Sequence, residues 1–373
     1  MHPVTQELVD LVKKHDWQGK FEQAIAAVAD QNITELAFLK SFDDYVQWVD
    51  GLLTWAPKSP GDSHLIYHKI VQFYYLLDQE PVKSLQSPVS PGQVPAKLTP
   101  LTEWIIDFAN AYGGYLDTEG SVREVQSFKD SPIFNWDDYM PPPSGYKTFN
   151  QFFARHVKPG YRPVAAPDDP AVVVSPADCT FVGWWQISQK SDIYVESKGL
   201  RWSIEELLAD SAYRDEFKGG IFTHSFLNTF DYHRWHAPVP GKVLESRWIQ
   251  GQAYLDVDTV PGPVVDGKQT RKLNALDGTG YQFVQSRGLA VIDSPVGLVA
   301  CLPMGMAQVS SVVMTAEQGV TLQKGEELGY FQFGGSDFVM VFSRDCNLHL
   351  NWQPGVHVRQ GMAIGHAYPM RMR

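Results

Sequence analysis

The sequence predicts an α+β protein, with a helical N-terminal domain over residues 1–140 and a β-rich domain with a few helices over residues 146–373. Three observations predict it. Apolar residues in the first third recur at helical spacing, a run of prolines then interrupts the chain, and short valine-rich segments broken by Gly and Pro follow.

In chain order, Phe42, Tyr45, Val46, Val49, Leu52 and Leu53 follow the i, i+3, i+4, i+7 rule and form one apolar stripe of a helix. Leu65 to Leu77 is a second apolar helical run, with Asp62 and Ser63 as candidate caps. Prolines and a glycine between Ser87 and Pro100 mark a loop, and Leu101 to Tyr112 reads as a further helix stopped by Gly113-Gly114. Pro141-Pro142-Pro143-Ser144-Gly145 is the domain boundary, because three prolines cannot continue a helix. Beyond it, Ser203 and Glu206 have the spacing of a capping box ahead of Leu207-Leu208. Ser294 to Ala316 carries no charge, but its prolines, glycines and valines read as buried strands and not as a membrane helix. Gly319, Leu322, Gly325, Leu328 and Gly329 recur as Gly355, Val358, Gly361, Ile364 and Gly365, a constant offset (355 − 319 = 36). A repeated strand–glycine turn–strand unit implies a pseudo-symmetric β-sandwich or barrel-like domain, and is also half of a lipoyl- or biotinyl-carrier pattern.

Composition narrows the function. With 44% hydrophobic and 20% charged residues the chain is ordinary for a soluble protein with a sizeable core. Its formal net charge of −11 argues against a nucleic-acid partner and against broad adsorption to anionic lipid. Cys179, Cys301 and Cys346 are too few and too scattered for a disulfide framework or a zinc site. The N-terminal residues lack a signal-peptide layout, so the expected location is soluble and cytoplasmic, with assembly into a homo-oligomer left open.

Two segments carry chemistry. One is Gly334-Gly335-Ser336-Asp337, a serine on a two-glycine hinge. The other runs from Thr223 to Val239 and contains His224, Ser225, Asn228, His233 and His236. A serine hydroxyl with distant histidines is the raw material of an activated nucleophile. Taken singly, Gly-Gly-Ser also reads as a flexible turn and each histidine as a structural one, and His233 with His236 also reads as half of a metal site lacking a local third ligand.

Together with Val174-Ser175-Pro176-Ala177-Asp178, Phe149–Arg155, Lys158–Pro163, Lys198-Gly199 and Ser203–Leu208, these segments resemble the phosphatidylserine decarboxylase family over roughly residues 147–370. The resemblance implies a proenzyme that cuts its own backbone at Gly335–Ser336. The products would be a β chain of residues 1–335 and an α chain of residues 336–373, with Ser336 converted to a covalent pyruvoyl group. It further implies His236 as the base for the attacking hydroxyl, Asp178 as the carboxylate orienting it, and His233 as the proton carrier in decarboxylation. His224, Ser225 and Asn228 would line the pocket. No pyridoxal phosphate and no metal would be needed, since the pyruvoyl carbonyl condenses with a substrate amine and accepts the electrons freed by the departing carboxylate. The family usually has Thr or Ser after the cleavage serine. Asp337 departs from that pattern, so an uncleaved pseudoenzyme stays open beside the carrier-module reading. The segment Val49–Pro57 and the helix after it resemble soluble relatives that include aromatic L-amino-acid (L-tryptophan) decarboxylases. That resemblance implies a free amino-acid substrate, with phosphatidylserine as the alternative.

Overall fold

The computed structural model describes residues 1–61, 64–94, 97–196, 199–275, 280–305, 307, 312–333 and 336–370. The helices α1 (Pro3–Lys14), α2 (Gln18–Ala29), α3 (Phe42–Leu52), α4 (Leu65–Leu77) and α5 (Pro100–Leu116) come first. In α3 the side chain of Ser41 accepts from Asp44 N, and the buried residues Phe42, Tyr45, Val46, Val49 and Leu52 are the stripe expected from the sequence. Asp62 and Ser63, the expected caps of α4, lie outside the described residues. The aromatic side chains of these helices are core: Phe73 of α4 stacks on Phe108 and Trp104 of α5, at 4.6 and 6.0 Å between centroids. Trp104 Nε1 donates to Val4 O at 2.8 Å, fixing α1 against α5.

One boundary differs from expectation. The last of these helices, α5, does not stop at Gly113-Gly114 but continues to Leu116. Two glycines cost a helix about 1 kcal/mol each, which the roughly 2 kcal/mol gained by burying Leu116 offsets, and the Asn150 Nδ2 bond to Gly113 O adds to the balance. Asn150 Nδ2 then donates to Asp117 Oδ1, on the residue that caps the helix.

The β-rich part is built on an eight-stranded antiparallel sheet. Its spatial order is Thr321–Leu322, Gly241–Ile249, Arg287–Ser294, Gly297–Gly305, Ser336–Phe342, Ile221–Leu227, Cys179–Gln186 and His357–Val358. The sheet has two free ends, so it is not a closed barrel. Gly297–Gly305 is buried along its whole length, as the charge-free run suggests, and among the described residues no helix is long and apolar enough to cross a membrane.

The internal repeat is real architecture. Thr321–Leu322 and His357–Val358 form the two opposite edges of the large sheet. After each, a glycine with positive φ (Gly325 at 85°, Gly361 at 86°) turns the chain into a longer strand of a three-stranded sheet. A Cβ at Gly325 would lie 2.4 Å from Val164 Cγ2, and one at Gly361 2.6 Å from Pro163 O, so both turns close on the same short segment. Lys324, in the first of these turns, is buried and donates to the carbonyls of Asp169 and Val172. It is therefore not presented at a hairpin tip, as a carrier lysine would be.

A single apolar cluster runs from Val4 in α1 to Ala367 in the last strand, so the helical and β-rich parts share one core. They also meet at a hairpin, Val257–Val265 with Lys268–Ala275, turned by Asp266 and Gly267 with φ of 49° and 73°. Tyr67 of α4 accepts from Ala275 N at 2.7 Å and donates to Asn274 Oδ1 at 3.2 Å.

Candidate active site

Ser336 opens the strand Ser336–Phe342, whose seven residues are all buried. Side chains alternate along it. Phe338, Met340 and Phe342 join the larger apolar cluster, while Val339 and Val341 join a second one on the other face. Ser336 faces the first side and Asp337 the second.

The chain is held tightly on both sides of the two glycines. Phe333, the residue before them, is packed edge-on against Tyr112, Phe149 and Phe153 at 5.4–5.7 Å, and its N–H donates to Asn150 Oδ1. After them, Ser336 is paired in the sheet with Gly305 and Leu227. Gly334 and Gly335, and with them the expected scissile bond, lie outside the described residues.

The side chain that meets Ser336 is His233. Its Nδ1 lies 3.4 Å from Ser336 Oγ, and both residues are fully buried. The ring is stacked on Phe153 at 3.9 Å. Phe153 ends the short helix α6 (Phe149–Phe153), which is capped by Thr148 accepting from Gln151 N. Burial, and then the nearby Arg155 charge, push the His233 pKa down to about 3, against weaker support from the Thr229 and Asn228 carbonyls. The imidazole is therefore neutral at pH 7 and able to accept a proton, while its Nε2 makes no hydrogen bond of ordinary geometry. Arg155 itself donates to the Phe230 and Asp231 carbonyls and lies 4.0 Å over Tyr139, anchoring the turn that delivers His233.

Asp178 and His236 occupy a different place. Asp178 is gripped by Arg162, at 2.8 Å (Nε to Oδ1) and 2.6 Å (Nη2 to Oδ2), and accepts from Gln360 N at 2.8 Å. His236 is bonded to Tyr232 OH at 3.1 Å through Nε2 and to Gly325 O at 2.9 Å through Nδ1. The carboxylate thus pairs with an arginine and not with His236, and the nearest imidazole to the serine is that of His233. Among the described residues, Asp178 and His236 are hydrogen-bonded neither to each other nor to Ser336. His233 lies in the turn just before the strand Arg234–His236, which His236 ends, and of the two it is His233 that contacts Ser336. Burial lowers the pKa of His236 as well.

On the opposite face, His224 Nε2 is 2.7 Å from Asp337 Oδ1, and both side chains are buried. This pair lines a cavity of about 490 Å³ together with Asn228, Phe181, Phe226, Phe230, Tyr67 and Ile70 of α4, and His64 at the start of that helix. Two of the three expected pocket residues, His224 and Asn228, therefore line it. Ser225 points to the other side of its strand, beside Cys179. Sequence reasoning missed the wall contributed by α4, the Asp337–His224 pair, and a second pair in which Asp231 accepts from His357 at 2.9 Å. Nothing in the local spacing of residues 64–70 points to a site a hundred and fifty residues downstream.

Comparison with known proteins places the chain. The family model for phosphatidylserine decarboxylase matches residues 149–366. The chain belongs to the phosphatidylserine decarboxylase family. Phosphatidylserine decarboxylase proenzyme 3 of Schizosaccharomyces pombe is 34% identical over 228 residues, covering 61% of this chain and 22% of that protein. Decarboxylase iboD of Amanita muscaria is 34% identical over 236 residues, covering 61% and 64%. The phosphatidylserine decarboxylase proenzyme of Fusobacterium nucleatum is 29% identical over 236 residues, covering 63% and 72%. The chain thus spans less than two thirds of the length of the first two relatives. The family is one of pyruvoyl-dependent carboxy-lyases made as proenzymes, and its cofactor is covalent. The residues present fit such a group: a buried serine hydroxyl whose polar partner is a neutral histidine, and an orphaned Nε2 on that histidine. Among the described residues there is no cluster of three or more His, Cys, Asp or Glu side chains able to hold a metal.

Proposed function

We propose that this protein is a self-processing decarboxylase that acts on phosphatidylserine. The observation that carries the reading is the contact between Ser336 Oγ and the neutral His233 at the first residue after two glycines. In processing, His233 Nδ1 takes the hydroxyl proton as Ser336 Oγ bonds to the carbonyl carbon of Gly335, and that proton passes to the amide nitrogen as the Gly335 C–N bond breaks, leaving an ester and a free amine on residue 336. Elimination then frees the Gly335 carboxylate. Water replaces the amino nitrogen of residue 336, which leaves as ammonia, so that residues 1–335 part from 336–373. Phe333 is anchored before the two glycines and Ser336 is paired in the sheet after them.

The pyruvoyl group so made supplies a carbonyl that draws electrons from a departing carboxylate. The chain's own contribution is a dry, buried chamber. Phe153 and Phe333 exclude water on the His233 side, and the cavity beneath α4 accepts the substrate on the other. The names of the relatives support phosphatidylserine as substrate over the free aromatic amino acid that the N-terminal resemblance implied.

Mass spectrometry of purified protein tests the first half of the reading. Two fragments meeting at Gly335/Ser336 are expected, with Ser336→Ala giving one intact chain. Carbon dioxide release from carboxyl-labelled phosphatidylserine, run beside a panel of free amino acids, tests the second. Release from amino acids alone would overturn the substrate, and an intact wild-type chain would overturn the mechanism.

A further inference from the structure

The cavity beneath α4 is poor in charged residue types. No lysine, arginine or glutamate lines it, and Asp337 is its one carboxylate among the described residues. Asp337 Oδ1 is occupied by His224 Nε2 at 2.7 Å, whereas Oδ2 is buried with no hydrogen-bond partner among the described residues. A buried carboxylate oxygen without a donor is costly, and native structures reserve such groups for a ligand or a function. The remaining walls are aromatic and amide: Tyr67, Phe181, Phe226, Phe230, Asn228 and Asn274. Such a chamber tolerates apolar groups and rewards one compact cation beside Asp337.

We propose that Asp337 Oδ2 is the receptor for the primary ammonium of an α-amino-acid head. The inference rests on the reading of the site as an amine-binding decarboxylase and specifies how the amine is recognised. Asp337 is the residue covalently next to Ser336, so the ammonium is brought within one residue of the reacting position. An ammonium must lose a proton before its nitrogen can attack a carbonyl. Here the N–H bond breaks, an O–H bond forms on Asp337 Oδ2, and His224 keeps the carboxyl group in place through Oδ1. Asp337 then has a use that its position beside the scissile bond does not suggest. The two sources of such a head, a serine phospholipid and a free aromatic amino acid, share this chemistry.

The test is made on full-length protein carrying Ser336→Ala, which has no cofactor and retains the cavity described above. Calorimetric binding of O-phospho-L-serine is compared with that of 3-phosphonooxypropanoate, and L-tryptophan with indole-3-propanoate; each pair differs by the amino group. A charge-assisted hydrogen bond predicts that at least one ammonium ligand binds about 10- to 100-fold more tightly than its deaminated partner. Adding Asp337→Asn should bring the two within about threefold. The pair that shows the preference identifies the source of the head. Equal binding within both pairs, no binding by either ammonium ligand, or a preference that survives Asp337→Asn overturns the proposal. If the double variant fails to fold, the ligand pairs on the Asp337-bearing protein decide alone. Absent self-cleavage or carbon dioxide release by the wild-type chain would defeat the decarboxylase reading while leaving this ligand preference measurable.

Discussion

The two faces of the Ser336–Phe342 strand treat their histidines in opposite ways. On the α6 side, His233 has no carboxylate partner among the described residues, is stacked on Phe153, and has its pKa pushed down to about 3 by burial with an arginine close by. On the α4 side, His224 is hydrogen-bonded to Asp337 beside a cavity. The same residue type is thus forced neutral in one place and given an anion in the other. A neutral imidazole leaves a ring nitrogen lone pair to accept the serine hydroxyl's hydrogen bond, and a buried carboxylate suits a cation. One strand separates bond breaking from substrate recognition, and neighbouring residues 336 and 337 belong to different tasks.

The largest effect that could break this division is on processing. His233→Gln should slow self-cleavage by about 100- to 10,000-fold, the usual range for losing a general base, followed as loss of the intact band on a denaturing gel. His224→Gln should cleave much faster than His233→Gln; equal rates would end the distinction between the faces. Next in size is Asp178→Asn. It leaves the buried Arg162 guanidinium with Asp138 as its remaining carboxylate, and should lower unfolding free energy by about 3 kcal/mol in denaturant titrations. If it removed cleavage without lowering stability, Asp178 would belong to the chemistry after all.

Acid sharpens the comparison further. The folded-state pKa of His233 is depressed from 6.5 to about 3, so the unfolded chain takes up the proton first as pH falls. Stability from this residue is complete above about pH 6.5 and is lost between there and pH 3, at up to about 1.4 kcal/mol per pH unit. The His233→Gln protein should show a correspondingly shallower loss between pH 6.5 and 5 in matched unfolding curves. The smallest effect is expected on the cavity wall. Tyr67→Phe deletes the hydrogen bonds to Asn274 and Ala275, worth about 1 kcal/mol, and should raise KM roughly fivefold with self-cleavage unaltered. A change in cleavage rate instead would mean that the α4 wall communicates with the serine.

Much of the outline was legible in the chain. The stripe from Phe42 to Leu52 specifies α3, because helical periodicity is a local property. The offset between Gly325 and Gly361 anticipated two equivalent turns, since a positive φ leaves few residue types to choose from. Ser336 was singled out by its glycines and by the family resemblance. The end of α5 was misjudged because a local helix breaker was outweighed by the burial of Leu116 and by a cap from Asn150.

The amino-acid sequence by itself determined the succession of helices and strands, the repeat, and which side chains were chemically able to act. Only the tertiary structure decided who meets whom. Ser336 and His233 are 103 residues apart, and Asp337 and His224 are 113 apart. The second pairing depends on Ile221–Leu227 lying beside Ser336–Phe342, the first on the turn after Ile221–Leu227 that carries His233, and both on the alternation that sends 336 and 337 to opposite faces. The same holds for the cavity. It exists because α4 packs on a hairpin two hundred residues away, and no spacing rule within either segment encodes that contact.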